Sequence, residues 1–282
     1  MIQKRRLFKW RGLLRTRGGA MGLGTALLAL GVPVHGQVAD YTFSQSVGTY
    51  TDITGGLSLT TTTTTTVAYV DGTANFTTGS SNGHPNFLRA GVGYPIGFNF
   101  TYNNDVFDRI GISPQGWISL GKSSNGATAV YAHGATAAPL SYAVPNNPTP
   151  ANTPPADRFN RIAGAAISNL VPRNAAPLGE LRVETIGTAP NRVCVVQWAN
   201  FRTSTNPDAI NFQIRLNENG NTVEVVFKDP NAEWLNSGQY LPTQIGLRGA
   251  TGSASGPASV ADFNRVSTGS TQPYNWSSLT WP

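Results

Sequence analysis

Ile96, Phe98, Phe100 and Tyr102 fall on one parity of the chain and Gly97, Asn99 and Thr101 on the other, the period of a β-strand with one buried face. Asn103, Asn104 and Asp105 come next, a cluster that reverses a chain because such side chains bond nearby backbone and tolerate left-handed dihedrals. Ile110 and Ile112 resume the alternation, Pro114, Gln115 and Gly116 break it, and Trp117 to Leu120 restart it before Gly121. Three consecutive antiparallel strands are predicted between Pro95 and Gly121.

The second half repeats the pattern. Ile210, Phe212, Ile214 and Leu216 alternate with Asn211, Gln213 and Arg215, the Asn219-Gly220 pair turns the backbone, and Val223, Val225 and Phe227 return, the signature of a hairpin. Leu181 and Val183 alternate between Glu180, Arg182 and Glu184, and Gln244 to Arg248 adds a strand with Ile245 and Leu247 inward. Val193 to Val196 is apolar on both faces, which predicts a central strand and a buried, inert Cys194. Upstream, Tyr41 to Thr51 reads as two short strands interrupted at Gly48, and the seven threonines from Thr60 to Thr66 as an exposed edge strand. Between Asp71 and Tyr94 the residues are mostly small and polar, with 79–86 a loop carrying His84. Pro139, Pro145, Pro148, Pro150, Pro154 and Pro155 keep about 122–160 out of a central sheet, so that span, with His133, reads as a long Pro-rich surface loop. No sustained helical period occurs downstream of residue 36. The expectation is an all-β protein, an antiparallel two-sheet β-sandwich with jelly-roll-like character and about 10 to 13 strands.

Charge changes the picture only at the N-terminus. The 282 residues carry a formal +6, which taken whole suggests an anionic partner. Seven of the 20 basic residues lie between Lys4 and Arg17, no acid precedes Asp40, and an Ala-, Leu- and Gly-rich stretch runs from about Ala20 to Val34. That is the order of a secretory signal peptide at 1–36, with the apolar part short of the roughly 20 residues of a membrane span. Removing it leaves 13 basic against 14 acidic residues, a net −1, so no nucleic acid is expected as a partner. The expected layout is a signal peptide at 1–36 and one sandwich domain at 37–282, secreted or on the cell surface, with no transmembrane segment. Cys194 alone permits no internal disulfide.

PIGFNFTYNNDVFDRIGISPQGWISLG at 95–121, RIAGAAISNL at 161–170, TAPNRVCVVQWANFR at 188–202, NFQIRLNENGNTVEVVFKD at 211–229 and QIGLRGA at 244–250 together resemble, in order, the strand motifs of nidogen-like extracellular modules and of large secreted Bacteroidetes-type proteins. The resemblance implies an N-terminal β-sandwich module of a cell-surface or secreted protein exported by the type IX secretion system. Other domains of the same polypeptide and cell-surface glycans or proteins are its implied partners. Ser168 and Asn169 stand where relatives often carry an acidic pair, which argues against calcium at that loop. Relatives continue past the position of Pro282, so a chain truncated at its C-terminus is expected.

Catalytic chemistry finds little support. Glu180 and Glu184 share a face but read as a solvent-facing pair, and the two histidines after residue 36 lie in expected loops, away from any nucleophile they would serve. No catalytic residue is assigned, and no enzyme activity is expected. The turn of Asn103, Asn104, Asp105 and Asp108 is oxygen-rich enough to be the one candidate for Ca2+, though short of the ligands of a dedicated loop; no other cofactor is expected. Among the tryptophans, Trp117 and Trp198 sit in strands and read as core, while Trp234 and Tyr240 form the candidate ligand-binding platform. The sequence favours a non-catalytic exported module with an adhesive, structural or binding role. An accessory domain of a carbohydrate-active or proteolytic enzyme, or a stand-alone glycan-binding lectin, remains as an alternative.

Overall fold

The computed structural model describes residues 38, 41–59, 88–133, 160–166, 170–203, 209–228, 244–249, 263–267 and 278–281, all within the compact unit His35–Pro282. Its strands, in chain order, are β1 (Ser44–Ser46), β2 (Leu57–Ser58), β3 (Leu88–Gly91), β4 (Tyr94–Tyr102), β5 (Asp105–Ser113), β6 (Trp117–Gly121), β7 (Val130–His133) and β8 (Arg161–Ala166). They continue as β9 (Leu170–Pro172), β10 (Glu180–Ile186), β11 (Val193–Thr203), β12 (Ile210–Asn217), β13 (Thr222–Phe227), β14 (Gln244–Arg248), β15 (Phe263–Ser267) and β16 (Ser278–Trp281). Helix among the described residues is confined to short 3-10 turns such as Ser123–Thr128 and Asn219–Asn221.

Two antiparallel sheets make the sandwich. The larger runs β1-β16-β13-β12-β11-β10-β2, with β9 also on β11, and the smaller runs β15-β14-β8-β6-β5-β4. The expected three-strand stretch is the meander β4-β5-β6, and the Asn219-Gly220 hairpin is β12-β13. β11 lies between β10 and β12, as its doubly apolar run requires.

Alternation fixes the core. Along β4, Ile96, Phe98, Phe100 and Tyr102 are buried and the residues between them exposed. They meet Leu181, Val183, Trp198, Phe212, Ile214 and Leu216 from the larger sheet in one apolar cluster. Trp198 and Phe212 stack there with centroids 4.7 Å apart, and each large side chain withdrawn from water contributes about 1.5–3 kcal/mol. Asn103 and Asn104 carry φ of 53° and 58° in the β4-β5 turn, the left-handed geometry their sequence predicts. At the β5-β6 turn Gly116 has φ 88°, and a Cβ there would strike the carbonyl of Ala165. Glycine is required on both counts.

β4 is an edge strand, yet its outer edge is engaged. The Thr185 hydroxyl donates to the carbonyl of Ile96 at 2.8 Å, the Thr101 N–H donates to Asn221 Oδ1 at 2.8 Å, and Arg192 donates to the carbonyl of Gly97. Side chains of β10 and of the turns leading into β11 and β13 thereby tie the sheets together and blunt the edge against a foreign strand.

Three expectations need correction. The described residues hold 16 strands, above the 10 to 13 expected, because short pairings such as β2 and β3 carry too few residues to show a period. The span after Gly121 is not all surface loop: Ser123–Thr128 forms a 3-10 turn and Val130–His133 a strand paired with β3, so His133 lies at a strand end. The reason is local, since Val130 packs against Gly111 and Gly121, whose missing side chains admit it. Finally, only Ser44–Ser46 of Tyr41–Thr51 is strand; from Thr49 onward the chain crosses the outside of the larger sheet. The threonine run 60–66, the loop with His84 and the prolines from 139 to 155 lie outside the described residues.

Candidate functional site

Because side chains alternate, the core residues of β10 to β13 leave a second set facing outward. The cross-strand register aligns Arg182 with Gln197 and Gln197 with Gln213, a polar rung across the sheet. The next rung is Glu184, Val195, Arg215 and Glu224, and the one beyond it Ile186, Val193, Asn217 and Thr222.

Along the first rung lies the segment Thr49–Gly55. The Arg215 guanidinium donates to the carbonyl of Thr49 at 3.0 Å, and Gln213 Nε2 to that of Thr51 at 2.7 Å. The Ile53 N–H donates to Gln197 Oε1 at 2.9 Å. Arg182 Nη1 donates to the carbonyls of Thr54 at 3.1 Å and Gly55 at 2.8 Å. The Gly55 N–H donates to Glu184 Oε2 at 3.2 Å, after which Gly56, at φ 70°, turns the chain into edge strand β2. The segment is thus a strap whose backbone groups are satisfied by side chains of the sheet it crosses, which meets the requirement for pairing without adding a ladder.

The anchors are themselves braced. Gln197 Oε1 also accepts from Gln213 Nε2 at 2.7 Å, and both residues are buried, so the polar network is closed and rigid. Arg215 donates to Gln213 and pairs with Glu224 at 3.2 Å; Arg182 pairs with Glu180 at 2.5 Å. Lys228 pairs with Asp52 of the strap at 2.8 Å and lies 5.4 Å from the Tyr50 ring centre. Burial, reinforced by Asp52 beside it, raises the Tyr50 phenol above its ordinary value and keeps it neutral. The carboxylates of Glu180 and Glu184 are therefore not the solvent-facing pair expected from alternation; each is half-buried and tied into the holding of the strap.

Between strap and sheet opens a cleft of about 550 Å3. Thr49, Thr51, Asp52 and Thr54 form its wall, and Glu184, Ile186, Val193, Val195, Arg215, Asn217 and Glu224 its floor. Its floor mixes aliphatic surface with carboxylates, a guanidinium and an amide, the composition of a site that orients a ligand through a few polar contacts. Sequence reasoning missed it because the strap has no period of its own. The trace it left was Ile186, Val193 and Val195, apolar residues on the parity of the polar face.

The residues singled out from sequence are placed elsewhere or not at all. In the β4-β5 turn Asp105 Oδ1 accepts from Lys122 Nζ at 2.6 Å and from the Val106 N–H at 2.8 Å, whereas Asp108 accepts from the Ser123 N–H at 2.7 Å and from its hydroxyl. Asn103 Nδ2 donates to Asn160 Oδ1 at 3.4 Å. Of the calcium candidates Asn103, Asn104, Asp105 and Asp108, the side chains of Asn103, Asp105 and Asp108 thus go to separate partners, and among the described residues no three His, Cys, Asp or Glu side chains gather to hold a metal. Trp234 and Tyr240 lie outside the described residues. Trp117 and Trp198 are fully buried, as is Cys194, whose thiol burial pushes up to about 12 and so leaves unreactive. Among the described residues no helix is long and apolar enough to cross a membrane.

The chain matches the family model described as NIDO related over residues 40–281. No curated protein and no solved structure matches it. The matched span takes in both sheets, the strap and the cleft, so the sandwich with its outer-face site is the fold of a member of the NIDO-related family, to which this chain belongs.

Proposed function

We propose that the chain is a non-catalytic binding module of an exported protein, and that the cleft beneath the strap is its binding surface. The observation that carries this reading is the state of the ionisable groups around the cleft. Asp52 and Glu224 are ion-paired, Arg215 holds the strap and Glu184 accepts the Gly55 N–H, and among the described residues neither a histidine nor a cysteine lines the cleft. Such a lining recognises shape and charge and supplies no activated nucleophile. Export with loss of residues 1–36 belongs to the same proposal, and the N-terminal residue of the mature protein tests it: Gln37 is expected.

The binding role is tested by exposing the full chain and its Ile186→Arg variant to arrays of oligosaccharides and peptides. Ile186 is 41% exposed, so arginine there fills the cleft without entering the core. The expected result is retention of a ligand class by the parent chain and its loss in the variant. Hydrolysis of any arrayed glycan or peptide by the parent chain contradicts the non-catalytic reading, and retention unaffected by the variant contradicts the placement of the site.

A further inference from the structure

The charges around the cleft do not balance. Asp52 is matched by Lys228, Glu224 by Arg215 and Glu180 by Arg182. Glu184 is matched by no cation among the described residues; its Oε2 takes only the Gly55 N–H, at 3.2 Å. Next to it on the same face of β10 is Ile186, and across the rungs are half-buried Val193 and fully buried Val195, so an uncompensated carboxylate stands at the head of a floor whose open aliphatic surface is Ile186 and Val193. A half-buried carboxylate in that position favours a cation, and the aliphatic floor favours a cation carried on a methylene stem. A bare metal ion suits it poorly, since one carboxylate is far below the six to eight oxygens Ca2+ takes.

We propose that the cleft takes an extended peptide segment of a partner protein, with a lysine or arginine side chain laid over Ile186 and Val193 and its charged head on Glu184. The proposal rests on reading the cleft as the binding surface and adds its chemistry. The strap supplies the precedent within the molecule: it is itself a stretch of chain held across these strands by side-chain donors and acceptors, without strand pairing. A guest lying beside it, over the next two rungs, meets Asn217, whose amide is held by Thr222 at 3.0 Å, and the strap's Thr49 and Thr51 on its other flank.

The test uses the full chain and the pentapeptide acetyl-Gly-Val-Lys-Val-Gly-amide, its norleucine and glutamate analogues, and a neutral oligosaccharide, with affinity and amide shifts read by NMR titration. The lysine peptide is expected to bind at least about fivefold more tightly than the norleucine peptide, to shift the Glu184, Ile186 and Val195 amides, and to weaken as salt rises. Glu184→Gln retains an oxygen for the Gly55 N–H, so the strap stays bonded while the charge is lost; in that variant the lysine and norleucine peptides should bind alike. Equal binding of the two peptides by the parent chain, lost in Ile186→Arg, leaves the cleft as a site but overturns the cationic guest. Binding of the oligosaccharide alone overturns the peptide. Binding of no probe, or binding indifferent to both variants, overturns the proposal together with the reading it rests on.

Discussion

The two outer faces of the sandwich are covered in different ways. On the smaller sheet, Val130 packs on Gly111 and Gly121, and at Gly121 a Cβ would collide with it and with the carbonyl of Ala129. Backbone meets backbone, and no room is left. On the larger sheet the cover is the strap, and the strands are separated from it by the length of Arg182, Gln197, Gln213 and Arg215. A cover held off by side chains leaves a cleft beside it, whereas a cover seated on glycines closes the surface. The difference gives one face a closed, tightly packed cover and the other the cleft that we propose binds.

The largest effect is expected where the fit is tightest. Gly121→Val drives a side chain into the Ala129 carbonyl and Val130, and should cost about 2–3 kcal/mol in urea unfolding, with an unchanged denaturant slope. A loss below about 0.5 kcal/mol would mean that the smaller sheet's cover is as loose as the strap. A smaller effect is expected on the other face: Arg182→Ala removes donors to two strap carbonyls, which water can then reach, and should cost about 1–2 kcal/mol while loosening residues 54–55. If this variant were the more damaging of the two, the contrast would be reversed.

The smallest effect lies at the joint between the sheets. Hydrogen bonding to Arg192, which pairs with Glu218 at 2.5 Å, holds the Glu218 carboxyl below its ordinary value. A carboxyl lowered in the folded state adds stability above its unfolded pKa and loses it as pH falls through the folded one. Glu218→Gln should therefore flatten part of the fall in stability below about pH 4.3 and leave the shape of the curve above about pH 6 unaltered; an acid limb identical to the parent's removes this pair from the account.

Legibility in the sequence depended on whether a residue belongs to a stretch long enough to carry a period. Phe98, Phe100 and Tyr102, and Phe212, Ile214 and Leu216, lie in long half-buried strands, and their alternation alone placed them in the core. Asn103 and Asn104 announced their turn by residue type. Val130 gave no such signal, because β7 is four residues long and owes its place to two glycines outside its own strand. The strap was illegible for a deeper reason: its backbone partners are Arg182, Gln197, Gln213 and Arg215, more than 120 residues away, and outward polar residues of a strand look alike whether they meet water or a crossing chain. Glu184 could be put on a face by parity, but not beneath Gly55.

Amide hydrogen exchange of the full chain tests the strap directly. The Ile53 N–H, donated to the buried Gln197 Oε1, should exchange at least about a hundredfold more slowly than in an unstructured peptide and lose that protection in Gln197→Ala, while the Ile214 and Val225 amides of the same sheet keep theirs. An Ile53 amide that exchanges as freely in the parent chain as in the peptide would contradict a strap held on the sheet, and with it the cleft.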